Sequence, residues 1–169
     1  TGNVGDHGMA LMVHRHRLQI DAELTSDVAP LNHMIRDALR ARPGAVVAMK
    51  DPTRGGVSSA LHEMAEKAHV GILIREADVP VNPVVRAAAE MLGLDPMHVA
   101  NEGKAVLGVR GDDATVAAVL DALHAHPHGV NAAVIGECVS TRPGDVVLDT
   151  GLGKRLLSEY EGELLPRIC

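Results

Sequence analysis

The sequence predicts an α/β fold, an α+β sandwich in which helices cover a mixed β-sheet. Three observations predict it. Short β-branched apolar runs alternate along the chain with segments whose apolar residues recur every three or four positions. The 169 residues suffice for one domain with its own core. No repeat or low-complexity tract breaks the pattern, and the core must be built from Ala, Val, Leu, Ile and Met, because Tyr160 is the only aromatic residue.

Each element has its own signal. Residues 1–8 form a glycine-rich lead-in ending in Gly5-Asp6-His7-Gly8, after which Met9, Met12, Val13 and His16 keep helical spacing. Asp6 is placed to cap that helix. His7 beside it is either a surface group or a ligand for phosphate or metal. Residues 15–27 read as a polar loop. A helix then opens at Pro30-Leu31-Asn32, turns Met34, Ile35, Ala38 and Leu39 inward beside the central strand, and stops at Pro43-Gly44. Residues 46–49 have the composition of a buried strand. They run into Asp51-Pro-Thr-Arg-Gly-Gly56, where Asp51 suits an N-cap and Pro52 the first helical position of a helix facing inward through Val57, Leu61 and Met64. Further strands are expected over residues 71–75, 104–109, 132–139 and 146–148. Helices are expected over residues 84–92, with Gly93 as the stop, and from the cap Asp112 to His124, and residues 153–161 as a final helix or turn.

Chemistry collects where the first strand meets its helix. A helix N-terminus offers free N–H groups and a positive dipole end. Gly55 and Gly56 would admit a ligand close to that backbone, and Arg54 adds a fork of donors suited to phosphate or carboxylate. A capped helix whose Asp and Arg only hold the turn fits the same residues. Glu102, between Asn101 and Gly103 at a strand mouth, is either an active-site carboxylate or a turn-capping one. The alternating His124, His126 and His128 around Pro127 read as a solvated loop rather than a metal site. Cys138 reads as a small buried hydrophobe. Cys169 ends the chain beyond Pro166, so its thiol sits on an arm, with Arg167 favouring the thiolate and the terminal carboxylate opposing it.

The net charge of −6 without a Lys/Arg cluster argues against nucleic acid or an anionic membrane as partner. No apolar stretch is long enough to span a bilayer, and no signal peptide is evident. Two cysteines far apart fit a reducing, cytoplasmic setting. A chain that begins at Thr1 in a glycine-rich turn reads as a piece of something longer.

Asp51-Pro-Thr-Arg-Gly-Gly56, Val99-Ala-Asn-Glu-Gly-Lys104, Gly5-Asp6-His7-Gly8, Ser26-Asp27-Val-Ala-Pro-Leu31 and the closing Pro166-Arg-Ile-Cys169 together resemble the HypE family of nickel-iron hydrogenase maturation proteins, within the PurM-like group of ATP-using enzymes. The resemblance runs along nearly the whole chain. It implies a PurM C-terminal-domain-like fold over residues 1–162 and a flexible tail over residues 163–169. The family's N-terminal domain, which binds ATP and forms a homodimer, is absent from this chain. The implied activity is ATP-dependent dehydration of a carbamoyl group carried on Cys169. The group comes from the carbamoyltransferase HypF and becomes a thiocyanate, whose cyanide passes to iron held by HypC and HypD. Glu102 resembles the family's base. Asp51, Thr53 and Arg54, with Gly55 and Gly56, resemble its phosphate-facing loop, and Asp6 and His7 belong to the same pocket. ATP and Mg are implied to be held mostly by the absent domain, so this chain alone is expected to fold without hydrolysing ATP. Two readings from other classes remain: a PurM-like synthetase domain of purine biosynthesis, which has no use for a Pro-Arg-Ile-Cys end, and a non-catalytic docking module.

Overall fold

The computed structural model describes residues 1–18 and 22–159. In chain order the helices and strands are α1 (Asp6–His16), α2 (Asn32–Ala41), β1 (Val46–Lys50), α3 (Gly56–Ala68), β2 (Gly71–Arg75), α4 (Pro83–Leu92), β3 (Val106–Val109), α5 (Asp113–His124), β4 (Gly136–Val139), β5 (Val146–Asp149) and β6 (Lys154–Leu156). The sheet is split in two. β1 and β3 form an antiparallel pair, and the other four strands lie in the order β4-β2-β5-β6. Within the larger sheet β2 runs antiparallel to β4 and parallel to β5, with Ile74 opposite Leu148, so the expected mixed character resides there.

Aliphatic side chains fill three small cores. The first lies between α3 and the larger sheet and contains Leu61, Ala65, Ile72, Ile74, Val146, Leu148 and Leu157. The second joins α1 to α4 through Met9, Val85, Ala88 and Ala89. The third joins α2 to α5 through Met34, Ala38, Val119 and Leu123. Each fully buried side chain of Leu, Ile, Val or Met contributes about 1.5–3 kcal/mol over its exposed state. Cores this thin depend on close approach of backbones, and small residues supply it.

The local signals that stand by themselves are borne out. β2 spans the expected residues, Asn82 and Asp112 cap α4 and α5 through Val84 N and Thr115 N, and Gly93 ends α4 in the left-handed conformation. Others are corrected. Asp6 does not cap α1; it is the first helical residue, and Gly5 at φ 87° takes the cap position. Asp51 does not cap α3 either. The chain stays irregular through Asp51-Pro-Thr-Arg, and the helix starts four residues after Pro52 at Gly56, behind Gly55 at φ 75°. β1 is not a buried strand: Val47 and Met49 are half exposed, because β1 pairs only with β3 and part of one face stays open. The third strand begins at Val106, not at residue 104. Residues 132–135 precede the fourth strand instead of belonging to it. Residues 154–156 form an edge strand where a helix or turn was expected.

Cys138 is exposed, contrary to the buried position expected of it. It lies opposite Ile72, but β4 is the edge of the sheet and nothing described covers its outer side. Tyr160 and the whole of the expected tail, Cys169 included, lie outside the described residues.

Gly56 combines φ +63° with a position where an added Cβ would fall 2.5 Å from the Met97 carbonyl oxygen. Gly56→Ala is therefore expected to destabilise the fold by about 2 kcal/mol or more, read as a melting point lower by roughly 4–8 °C; an unchanged melting point would show that this contact can relax. In the same native protein a thiol reagent should label Cys138 on the timescale of a model thiol, checked by mass mapping of the labelled peptide.

Candidate active site

One buried amide holds the candidate residues together. Asn101 is 1% exposed, and its Oδ1 accepts a 2.7 Å hydrogen bond from Gly5 N at the start of α1. Its Nδ2 donates to the Pro52 carbonyl at 3.1 Å and to the Val99 carbonyl at 3.0 Å. The Asn101 backbone N–H donates to the same Pro52 carbonyl at 3.1 Å. Three motifs far apart in the chain thus meet at one side chain, and their functional groups sit on the residues next to the bonded ones. Asp51 and Thr53 flank Pro52, Asp6 follows Gly5, and Glu102 follows Asn101.

Glu102 is exposed at a bend, and its placement is set from below. Its backbone N–H donates to Asp27 Oδ1 at 3.3 Å, and Asp27 Oδ2 pairs with Lys104 Nζ at 3.2 Å. That ion pair is almost completely enclosed, the two side chains being 3% and 12% exposed. Gly103 lies against the backbone of Asp27 and Ala29 so tightly that any side chain there would collide with the Asp27 carbonyl. Glycine at 103 is thus a requirement of the loop-to-loop contact, and it leaves the carboxylate of Glu102 as the outward-facing group of the bend.

Asp6, Asp27 and Lys104 line one side of a cleft of about 220 Å³, with Ser26, Gly103 and His128 among its other walls. His7 is engaged at the rim: its Nδ1 lies 2.8 Å from Ser26 Oγ, which also accepts from Val28 N. Burial raises the Asp6 carboxyl above its ordinary value, the Lys104 ammonium pulls it back down, and the Asp27 carboxylate raises it again. Asp6 Oδ1 is buried and has no hydrogen-bond partner among the described residues. Lys104 is thus paired directly with Asp27, and Asp6 is the less compensated of the two acidic groups.

In the expected phosphate-facing loop Arg54 is exposed and Thr53 half-buried. An added Cβ would meet the Ser59 side chain at Gly55 and the backbone of Met97 to Val99 at Gly56, so glycine is required at both positions on conformational and steric grounds. Elsewhere, His124 Nε2 is bonded to the Ala132 carbonyl at 2.7 Å and His126 Nδ1 accepts from His128 N. Among the described residues no group of three or more His, Cys, Asp or Glu side chains is placed to hold a metal ion.

Sequence reasoning singled out Glu102, Asp51 and Arg54 but gave no role to Asn101, Asp27 or Lys104. The available signal was that Asn101, Lys104 and Asp27 each fall within one of the motifs that carry the family resemblance.

The chain resembles proteins of known family. Residues 1–149 match the family described as AIR synthase related protein, C-terminal domain. The chain is 45% identical over 169 residues to carbamoyl dehydratase HypE of Escherichia coli K12, covering all of this chain and 49% of that protein. It superposes with a TM-score of 0.89 on a crystal structure of the hydrogenase maturation protein HypE in complex with ATP, at 38% identity, covering 99% of this chain and 51% of the other. A crystal structure of a HypE–HypF complex matches with a TM-score of 0.87 and 38% identity, covering 94% and 51%. The chain spans about half the length of the curated relatives it matches. It belongs to the AIR synthase related protein family, C-terminal domain, and within that family to the HypE hydrogenase maturation proteins.

Proposed function

We propose that this chain supplies one half of an ATP-dependent carbamoyl dehydratase whose carrier is its own terminal cysteine, Cys169. The observation that carries this reading is the convergence on Asn101 of the loop bearing Asp51, Thr53 and Arg54, the turn bearing Asp6, and the bend bearing Glu102. The likeness to a HypE solved with ATP supports the nucleotide. The likeness to one solved with HypF supports a carbamoyltransferase as the donor of the group.

The overall conversion takes the thiocarbamate RS–C(=O)NH2 and ATP to RS–C≡N, ADP, phosphate and a proton. The carbonyl oxygen leaves as phosphate and the nitrogen loses both hydrogens. Two tasks fall to this chain. Glu102, outward-facing and fixed through its own N–H to Asp27, takes up a proton from the amide nitrogen. The Thr53 hydroxyl and the Arg54 guanidinium donate to phosphate oxygens, where a preorganised donor acts most strongly once water is excluded. Asp51 holds the entrance of that loop, and Asp6 and His7 close the opposite rim. Among the described residues no group of three or more His, Cys, Asp or Glu side chains is placed to hold a metal ion, and no step on this chain is assigned to the magnesium that accompanies ATP, which is held mostly by the other half. The other half of the enzyme supplies the remainder of the nucleotide site and a homodimer contact. HypC and HypD are the acceptors for cyanide, in the cytoplasm. A purine synthetase domain would use the same pocket on a free substrate, and the similarity along the whole of this chain to half of a protein named carbamoyl dehydratase disfavours it.

In the full-length protein Glu102→Gln should accumulate the carbamoylated form and slow dehydration by about a hundredfold to ten-thousandfold, measured by single-turnover mass spectrometry. Dehydration at the wild-type rate would reduce Glu102 to a turn residue. With HypF, carbamoyl phosphate and ATP, the mass gain of one carbamoyl group should map to the C-terminal peptide and vanish in Cys169→Ala. An adduct that persists in that variant, or that sits on the exposed Cys138, would refute the carrier assignment.

A further inference from the structure

Two buried carboxylate oxygens line one small cleft with nothing to bond to. Asp6 Oδ1 and Asp27 Oδ2 are enclosed and lack a hydrogen-bond partner, and among the described residues they are the only buried side-chain atoms left so. Both residues line the cleft of about 220 Å³ at the start of α1. The Asp27 side chain is only 3% exposed, and its other oxygen is taken by the Glu102 N–H. Lys104 Nζ lies 3.2 Å from Asp27 Oδ2, which supplies charge without hydrogen-bond geometry, and it reaches the Gly103 carbonyl at 3.4 Å instead. A buried acceptor left unmet costs about 1–3 kcal/mol, and more when it is charged. Two of them on one wall therefore call for a ligand.

The chemistry of the wall names the class of that ligand. Two carboxylates against one ammonium leave one net negative charge, which selects a cation. Apart from the exposed His128, the polar side chains around the three charges carry oxygen: the hydroxyls of Thr25 and Ser26 and the amides of Asn3 and Asn131. Oxygen donors suit a hard cation. Two carboxylates are fewer than a closed protein cage uses, in keeping with the lack of a three-residue metal group among the described residues. Magnesium is the cation for which one or two suffice, because it keeps several of its waters. At about 30 Å³ per water the cleft has room for that shell. We infer that this cleft binds a hydrated divalent cation of the magnesium class, with Asp6 as direct ligand and Asp27 reached through a bound water. The inference stands on the cleft alone and does not rest on the dehydratase reading. The cation ties together the start of α1, the 25–28 segment and the Gly103-Lys104 bend, three stretches far apart in the chain.

The test uses this chain, isotope-labelled for amide NMR, with Mn2+ as paramagnetic probe and Mg2+ as competitor. Substoichiometric Mn2+ should broaden the amide signals of residues 3–8, 25–28 and 103–104 selectively, and excess Mg2+ should restore them. In Asp6→Asn the Mn2+ concentration needed for the same broadening should rise roughly ten- to hundredfold. In Lys104→Met it should fall, because one positive charge leaves the wall, whereas side chains that only support the fold would weaken binding in both variants. If Lys104→Met fails to fold, Asp6→Asn decides alone, since the orphan oxygen it replaces has no partner to lose. Broadening centred on His126 and His128, broadening that Mg2+ does not reverse, or broadening unchanged in Asp6→Asn would each overturn the inference. So would the absence of any selective effect, which would leave the cleft to ordinary water.

Discussion

The structure depends on a single buried amide. Asn101 uses its carbonyl oxygen and both donors on its nitrogen to hold Gly5, Pro52 and Val99, and its own N–H bonds to Pro52 as well. None of the three partners belongs to a sheet ladder that would satisfy it otherwise. A typical hydrogen bond contributes only about 0.5–1.5 kcal/mol net, but each buried partner left without one costs about 1–3 kcal/mol. An amide is suited to this place in a way a carboxylate is not: it accepts and donates at once, and it brings no charge into a dry interior. The site residues then need no large side-chain network of their own, because each is the neighbour of a residue already pinned.

Charge is handled beneath that frame. The Asp27–Lys104 pair is nearly enclosed, which costs desolvation that Coulomb attraction alone repays poorly. Its contribution lies in geometry. Asp27 spends its second oxygen on the backbone of Glu102, so the ion pair and the bend that presents the candidate base form one unit. Asp6 faces the same ammonium at a greater cost, with one buried oxygen unpartnered and its carboxyl held above the ordinary range by burial. A buried carboxyl oxygen without a hydrogen-bond partner, in the wall of a cleft, marks Asp6 as a candidate for function.

How much of this was legible in the sequence follows from the range of the interactions involved. β2, α4 and α5 were readable because their signals are local: a short apolar run, an Asn or Asp cap, a glycine stop. The motif residues were also readable as motifs. What was lost needed tertiary information. Asp51 has every local mark of an N-cap, yet the tie from Pro52 to Asn101 keeps the loop irregular, and the helix starts at Gly56, which lies under the 96–98 turn. Cys138 and β1 looked buried because composition cannot distinguish a central strand from an edge one. Lys154 to Leu156 carries no strand signature at all, and its state is set by pairing with β5. The roles of Asn101 and Asp27 depend on partners 96 and 75 residues away, which no spacing reveals.

The parallel pairing of β2 with β5 has a consequence for what the candidate site rests on. The two strands are consecutive neighbours in space, but the chain between Arg75 and Val146 makes α4, β3, α5 and β4 before it returns. The whole Val99 to Lys104 segment lies inside that excursion. Helices α4 and α5 have caps of their own, whereas the contacts of Asn101 reach back 96 and 49 residues and bear the loop-closure entropy of those separations. The candidate pocket therefore rests on long-range contacts where the helices rest on local ones. A partly opened chain can hold its helices without the junction at Asn101, so the candidate site is a property of the closed fold and of no single element.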